Sequence, residues 1–374
     1  QWENVAFLAN PITGSINCVR TVRHPDGRIE SQHLPNLLVS GDKWFRPVNI
    51  EFGPDGCLYV ADWYNKIISH NEVSTDHPDR DRKHGRIWRI RHKSQKPFPI
   101  ANVAKAANSQ LIKHLTQGKT QWEKRAAWHQ IEERQAVELS PQLVKVAKDM
   151  NQPKENRILA LWSLESLKHF DQPTIEACIK ESDGDVRREA IRSLASYDLS
   201  AQLVASLVKN SINDANAMVR SQVLRTLDEI HEANDDTIAL LIEACKPAAP
   251  NNNYGGNYER NFERFLARKA LERYPDELKS YLANKDINTL NSSHLLWAVQ
   301  ALPSQDVSKF FVKLWGSASS NEGIDANTFI AISHILDSKE VQAAIAPSFK
   351  TQPKELLNLA LENIDKININ NKLH

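Results

Sequence analysis

The sequence predicts a β + α multidomain chain: a partial β-propeller, its last one to two blades, followed by an α-solenoid. Three observations lead there. An aromatic-rich hairpin pattern lies near the start, apolar and basic residues alternate as far as residue 92, and a template of small and large apolar positions recurs at helical spacing through the rest.

Val5-Ala6-Phe7-Leu8-Ala9-Asn10 reads as strand from the outset. The stretch from Trp44 to Tyr64 then reads as a hairpin: Pro47 to Phe52 forms one strand, Gly53-Pro54-Asp55-Gly56 the turn and Leu58 to Ala61 its partner. Proline and glycine supply the fixed and positive φ of the bend, and Asp55 is expected to accept backbone hydrogen bonds within it. Gly85 to His92 alternates as a third, half-buried strand. A propeller closes only with about 4–8 four-stranded blades, and the strands from Val5 to Arg91 account for fewer than two. The expectation is therefore the C-terminal portion of a larger protein, with the remaining blades on the same protein or on another chain. Gln1 in place of Met agrees with that.

Ser94-Gln95-Lys96-Pro97-Phe98-Pro99 punctuates the chain, and from Ala104 the period is helical. The expected organisation is propeller blades over 1–93, a linker over 94–105, a solenoid over 106–364 and a polar tail over 365–374. Within the solenoid, Arg157-x-x-Ala160-x-x-x-Leu164 recurs at Arg187, Ala190 and Leu194, at Arg220, Val223 and Leu227, and at Arg264, Ala267 and Leu271. Lys124, Ala127 and Ile131 fit one unit earlier. The small residue lets helices approach, the leucine fills the shared core, and the arginine can satisfy carbonyls or an aspartate between units. Asp185-Val186-Arg187 and Met218-Val219-Arg220 resemble the turn-and-entry sequences of HEAT repeats. Leu295 to Leu302, Thr328 to Ile335 and Leu357 to Ile364 keep the spacing more weakly, and Pro247 to Tyr258 reads as a polar insertion.

Composition excludes some functions. With 47 basic and 46 acidic residues the net charge is +1, so no global field draws the chain to nucleic acid. No apolar run is long enough to span a bilayer, so no transmembrane segment is expected. Cys18, Cys57, Cys178 and Cys245 are far apart and form no CxxC, so neither a zinc knuckle nor a covalent haem site is encoded.

Strand direction defines a candidate site. Arg46 opens the first hairpin strand and Asp62 follows the second, so both lie on one face, joined there by the loop from Asn65 to His84. Arg46, Asp62 and His70 are the candidate catalytic residues, with an Arg46–Asp62 ion pair between strands as the competing structural reading. Trp63 and Tyr64 are candidates for stacking a sugar ring, or for packing between blades. Asp76, Asp79 and Asp81 are weak metal candidates, since they lack the glycine and bidentate glutamate of a calcium loop, and solvated loop carboxylates are the simpler account.

At these residues a family resemblance becomes specific. Ser40-x-Asp42-x-Trp44-Phe45-Arg46-Pro47, Gly53-Pro54-Asp55-Gly56-x-Leu58-Tyr59-Val60-Ala61-Asp62-Trp63-Tyr64 and Gly85-Arg86-Ile87-Trp88-Arg89-Ile90, followed by helical repeats, resemble the bacterial membrane-bound dehydrogenase family. Its propeller is similar to that of glucose/sorbosone dehydrogenases. The resemblance implies an exported, periplasmic or secreted protein, anchored through a preceding segment, that oxidises a sugar or polyol with pyrroloquinoline quinone. It also implies a cytochrome or other protein docked on the HEAT-like surface, and Arg46, Asp62 and Tyr64 facing the site. The haem domain that often follows the repeats has no counterpart here, for Cys-x-x-Cys-His is absent. The alternative function is a non-catalytic glycan- or protein-binding protein of the same architecture.

Overall fold

The computed structural model describes residues 5–23, 29–69, 72–247, 257–286, 289–321, 330, 333–351 and 353–362. The chain divides into two compact units, Gln1–His169 and Phe170–His374.

The first unit opens with two antiparallel sheets of three strands each. One contains β1 (Val5–Asn10), β2 (Ser15–Arg23) and β3 (Ile29–Val39), the other β4 (Pro47–Phe52), β5 (Leu58–Asp62) and β6 (Arg86–Ile90), both in sequential order. The β4–β5 turn closes through Gly53 N–H to Cys57 O at 2.8 Å and Gly56 N–H to Gly53 O at 3.0 Å. Gly56 sits at φ +76°, which a side chain would strain, and Asp55 Oδ1 accepts the Cys57 N–H at 3.1 Å. A small core of Ile16, Phe45 and Val60, flanked by Phe7, Leu38, Ile50 and Ile90, joins the two sheets, and β1 runs beside β4.

The third strand departs from the half-buried expectation. Ile87 is 76% exposed, because the registers Asp62↔Arg86, Val60↔Trp88 and Leu58↔Ile90 turn Arg86, Trp88 and Ile90 toward the inner face. Ile87 is left on the open face.

A single 3-10 turn, Val103–Lys105, leads to α1 (Asn108–Gln117), α2 (Gln121–Glu133), α3 (Ser140–Lys148) and α4 (Lys154–Ser166). Thr120 caps α2, its Oγ1 accepting the Glu123 N–H at 3.2 Å. Ala127, Ile131, Ala160 and Leu164 are buried, as the template requires. Lys124 Nζ reaches Asn156 Oδ1 at 2.7 Å, and Arg157 Nε donates to Ala147 O at 3.0 Å.

The second unit is helical throughout its described residues: α5 (Gln172–Ile179), α6 (Gly184–Ser193), α7 (Ala201–Val208), α8 (Ala217–Glu229), α9 (Asp235–Ala244), α10 (Asn257–Leu271), α11 (Pro275–Asn284), α12 (Ser292–Ala298), α13 (Ser304–Asn321), α14 (Lys339–Thr351) and α15 (Pro353–Glu362). Asp171, Asp183, Ser200, Asn216, Asn234 and Asn291 cap six of them through side-chain oxygens. Helices α6, α8 and α10 pack in one layer and α7, α9 and α11 in the other. Ala190, Leu194, Val223, Leu227, Ala267 and Leu271 are fully buried between them.

The template arginine acts as the sequence suggested. Arg187 forks onto Asp214, with both N–O distances 2.8 Å, and its Nη1 donates to Glu181 O at 2.7 Å. Arg220 donates to Asp214 O at 2.6 Å and to Glu263 Oε1 at 2.9 Å, and Glu263 also pairs with Arg260 at 2.8 Å.

The weak late template holds less well. Leu295, Ala298, Leu302 and Ile335 are buried, but Leu357 is 53% exposed, because α15 turns that position outward. Thr328, Ala331 and Ile364, and the centre of the Pro247–Tyr258 insertion, lie outside the described residues.

Two outcomes check this packing. Ala190→Glu places an unpaired carboxylate in a close-packed helix contact and should cost more than about 3 kcal/mol in urea unfolding. Arg220→Ala leaves Glu263 short of a partner in the interior and should cost about 3–5 kcal/mol. Wild-type stability in either variant contradicts the assignment.

Candidate functional site

Asp62 ends β5 opposite Pro47, and its side chain is fully buried. Its Oδ1 accepts the backbone N–H of Arg46 at 2.8 Å and of Tyr64 at 2.9 Å. Its Oδ2 accepts Arg86 Nε at 2.7 Å and the Trp88 indole N–H at 2.9 Å. A carboxylate offers about four acceptor positions, and here the chain fills them all. Burial alone would raise the Asp62 pKa, but the bonds from Arg46, Trp88, Tyr64 and Arg86 outweigh it and hold the carboxyl below its ordinary value.

Arg86 is spent in the same way. Its Nη2 reaches Asp42 Oδ2 at 2.9 Å, and the guanidinium lies 4.0 Å from the Tyr64 ring centroid and 5.2 Å from that of Trp88. Tyr64 holds φ +51°, fixed by its bond to Asp62, and its ring sits 5.3 Å from that of Trp44. Tyr64 is thus a packing element rather than an open platform.

The structure brings Arg46, Asp62 and Tyr64 together, though not as the sequence suggested. The ion pair weighed between Arg46 and Asp62 does not form through the side chain: the backbone N–H of Arg46 meets Asp62, and Arg86 supplies the cation. The Arg46 guanidinium instead donates to Phe45 O and Lys66 O, each at 3.2 Å, leaving Nε buried and unpaired among the described residues. Trp63 is 38% exposed, and its backbone N–H donates to Arg46 O at 2.8 Å. His70 lies outside the described residues.

The loop carboxylates do not converge. Asp79 pairs with Lys66 at 2.7 Å, Asp76 with Arg82 at 2.9 Å and Asp81 with His84 at 2.7 Å. Each meets its own partner, and no cluster of histidine, cysteine, aspartate or glutamate among the described residues could hold a metal ion. Pyrroloquinoline quinone, a tricarboxylate, fits this donor set poorly. Arg86 is committed to Asp42 and Asp62, and the Arg46 guanidinium is turned onto the Phe45 and Lys66 carbonyls.

At the opposite end of the β4–β5 hairpin lies a cleft of about 1100 Å³, bounded by Ile50 to Gly53, Phe98, Ala104 and the outer face of α2. Sequence reasoning missed it. Its walls are contributed by Phe52, Phe98 and Trp122, which are remote in sequence, so only exposed aromatics beside a proline-rich linker could have hinted at it. Asp55 anchors this end: its Oδ2 accepts the Tyr59 hydroxyl at 3.1 Å and pairs with Arg89, and its carbonyl accepts the Phe98 N–H at 2.9 Å. Burial opposes ionisation of Asp55, but the bonds from Cys57 N–H, Arg89 and Tyr59 prevail and lower its pKa to about 2.

Both carboxyls are depressed, so their stabilisation is complete above the unfolded value of about 4 and is lost as pH falls below it, in the case of Asp55 toward about 2. Asp55→Asn should flatten the stability–pH curve in that window, and an unchanged acid-unfolding curve would contradict the assignment. Asp62→Ala should cost about 3–5 kcal/mol, more than Arg46→Ala, since it removes one of the two carboxylates that Arg86 meets and leaves three other donors unmet.

Residues 1–94 match a family described as a domain of unknown function, DUF7133, and residues 172–251 match HEAT repeats. No curated protein matches the chain. Two solved structures, both described as engineered proteins, resemble it at 14% identity and a TM-score of 0.32. One covers 63% of this chain and 97% of its own, the other 69% and 77%. Residues 172–251 are HEAT-like repeats.

Proposed function

We propose that the chain is a protein-interaction scaffold, a HEAT-like repeat module behind the closing blades of a β-propeller. The observation that carries this reading is the repeat match over 172–251, joined to the way Arg187 and Arg220 are consumed between helices. Repeats held together by their own buried charges keep their outer surfaces for partners, the usual use of stacked helical pairs. Arg225, Phe265 and Lys269 are among the outward-facing residues of α8 and α10.

The propeller reading is supported by the two sheets stacked through Ile16 and Val60 with β1 beside β4. On the open face of the second sheet Val48 is 51% and Ile87 76% exposed. A further blade, from the same protein or another chain, would cover that face.

The second reading keeps the resemblance: an exported, periplasmic or secreted quinoprotein-like sugar or polyol dehydrogenase with a cytochrome docked on the repeats. The order of hairpin motifs and repeats favours it. Its quinone contacts would then come from groups beyond Arg46 and Asp62, which the chain itself occupies.

The two readings separate by assay. The chain supplied with pyrroloquinoline quinone, calcium and a sugar panel should reduce no dye, and quinone-dependent dye reduction with any of these sugars would establish the dehydrogenase. A protein cross-linked to the full chain at the repeats should lose its contact in Arg225→Glu and Phe265→Ala, with thermal stability unchanged. Absence of any stoichiometric repeat-bound partner would sink the scaffold reading.

A further inference from the structure

We infer that the cleft of the first unit is a docking site for an extended acidic peptide bearing aromatic or large apolar side chains. This goes beyond the scaffold reading, which rests on the repeats.

Size comes first. At about 1100 Å³ the cleft is larger than the roughly 300–1,000 Å³ typical of small-molecule sites, so a single small ligand would leave much of it wet. Its walls are apolar where a side chain would insert: Phe52 is 58%, Trp122 40% and Phe98 37% exposed. Aromatics at a concave surface are the commonest anchors of protein contacts.

Charge selects the partner. Lys119 and Arg125 bracket Trp122 along the chain and line the cleft, and neither side chain meets a carboxylate among the described residues. Of the acids in the lining, Glu133 is engaged by Gln130, and Glu51 alone stands without a partner. Two unpaired cations against one unpaired acid beside exposed aromatics favour a ligand that carries carboxylates next to apolar groups.

The backbone selects a peptide. β4 is an edge strand, and Gly53 N–H is spent on Cys57 O within the hairpin. The antiparallel alternation therefore turns the N–H and C=O of Phe52, opposite Leu58, away from β5. The outward N–H of Ile50 is already met by Asn49 Oδ1 at 2.8 Å, which leaves Phe52 as the open backbone position beside the cleft. A peptide can pair there while its alternate side chains reach Phe52 and Trp122.

The test uses the full chain and a fluorescein-labelled short peptide alternating glutamate with phenylalanine and leucine, read by anisotropy. Saturable binding is expected, with at least about tenfold weaker binding of the lysine-for-glutamate counterpart. Trp122→Ala should weaken the glutamate peptide by about tenfold or more, and Lys119→Glu with Arg125→Glu should invert the preference. These side chains are solvent-facing, and circular dichroism checks that each variant folds. Should one not fold, the preference of the wild-type chain between the two peptides still decides. Equal binding of both peptides, no binding, or indifference to the variants overturns the inference. Dimerisation that the same variants abolish would assign the cleft to a second copy and overturn it too. A repeat-bound partner retained alongside an empty cleft refutes this inference alone and leaves the scaffold reading intact.

Discussion

The constraint on which the helical repeats depend is that a guanidinium drawn between helices must find carboxylate and carbonyl partners there. Arg187 and Arg220 share one short segment to achieve this: the Asp214 side chain receives Arg187, while the Asp214 carbonyl receives Arg220. Arg187 also takes the carbonyls of Glu181 and Ser182 beyond α5, and Arg220 continues to Glu263 on α10. Helix-terminal and turn carbonyls that would otherwise be orphaned are satisfied by the same cations. The small residue three positions later lets the helices approach closely enough for these reaches. A repeat that loses its arginine therefore leaves an acceptor set unmet in its neighbour, which couples the units more tightly than apolar contact would.

Asp62 does the equivalent work in the sheets. Their joint core is only Ile16, Phe45 and Val60 with partly buried neighbours, too little by itself to fix the loop from Trp63 to Gly85. Asp62 draws in the residue before β4, the residue that reverses the chain at positive φ, and two side chains of β6. A charge at a strand end needs either a ligand or internal donors. Here it has internal donors, so its lowered pKa reports structural demand and not readiness for proton transfer.

What was legible in the sequence was local. The β4 and β5 bounds follow from a turn whose glycine and proline dictate their own dihedrals, and the repeats follow from spacings within single helices. The partners of Asp62 were illegible because Arg86 and Trp88 lie 24 and 26 residues downstream, and nothing in the period of β6 says which of its residues turns inward. Alternation of apolar and basic residues suggested a half-buried strand without saying which face is buried, and the pairing register puts Arg86 inside, where Asp62 offsets its charge. The cleft was hidden for the same reason, since strands, linker and helix remote in sequence contribute its aromatics.

These observations supply a criterion for separating binding from chemistry. Catalytic groups combine a perturbed pKa with a free bonding direction aimed into a concavity. Among the described residues the strongly perturbed groups lack that freedom: Asp55 and Asp62 are met by several donors, and the Cys245 thiol is pushed up to about 12 by complete burial. Among the cations without a carboxylate partner in the described residues, Lys119 and Arg125 lie at an aromatic cleft and Arg225 over Phe262 on the repeats. Unspent charge beside exposed aromatic surface is the signature of recognition, because it yields selectivity for a partner without requiring a proton to move. The distribution of spent and unspent charge therefore supports the proposed scaffold reading.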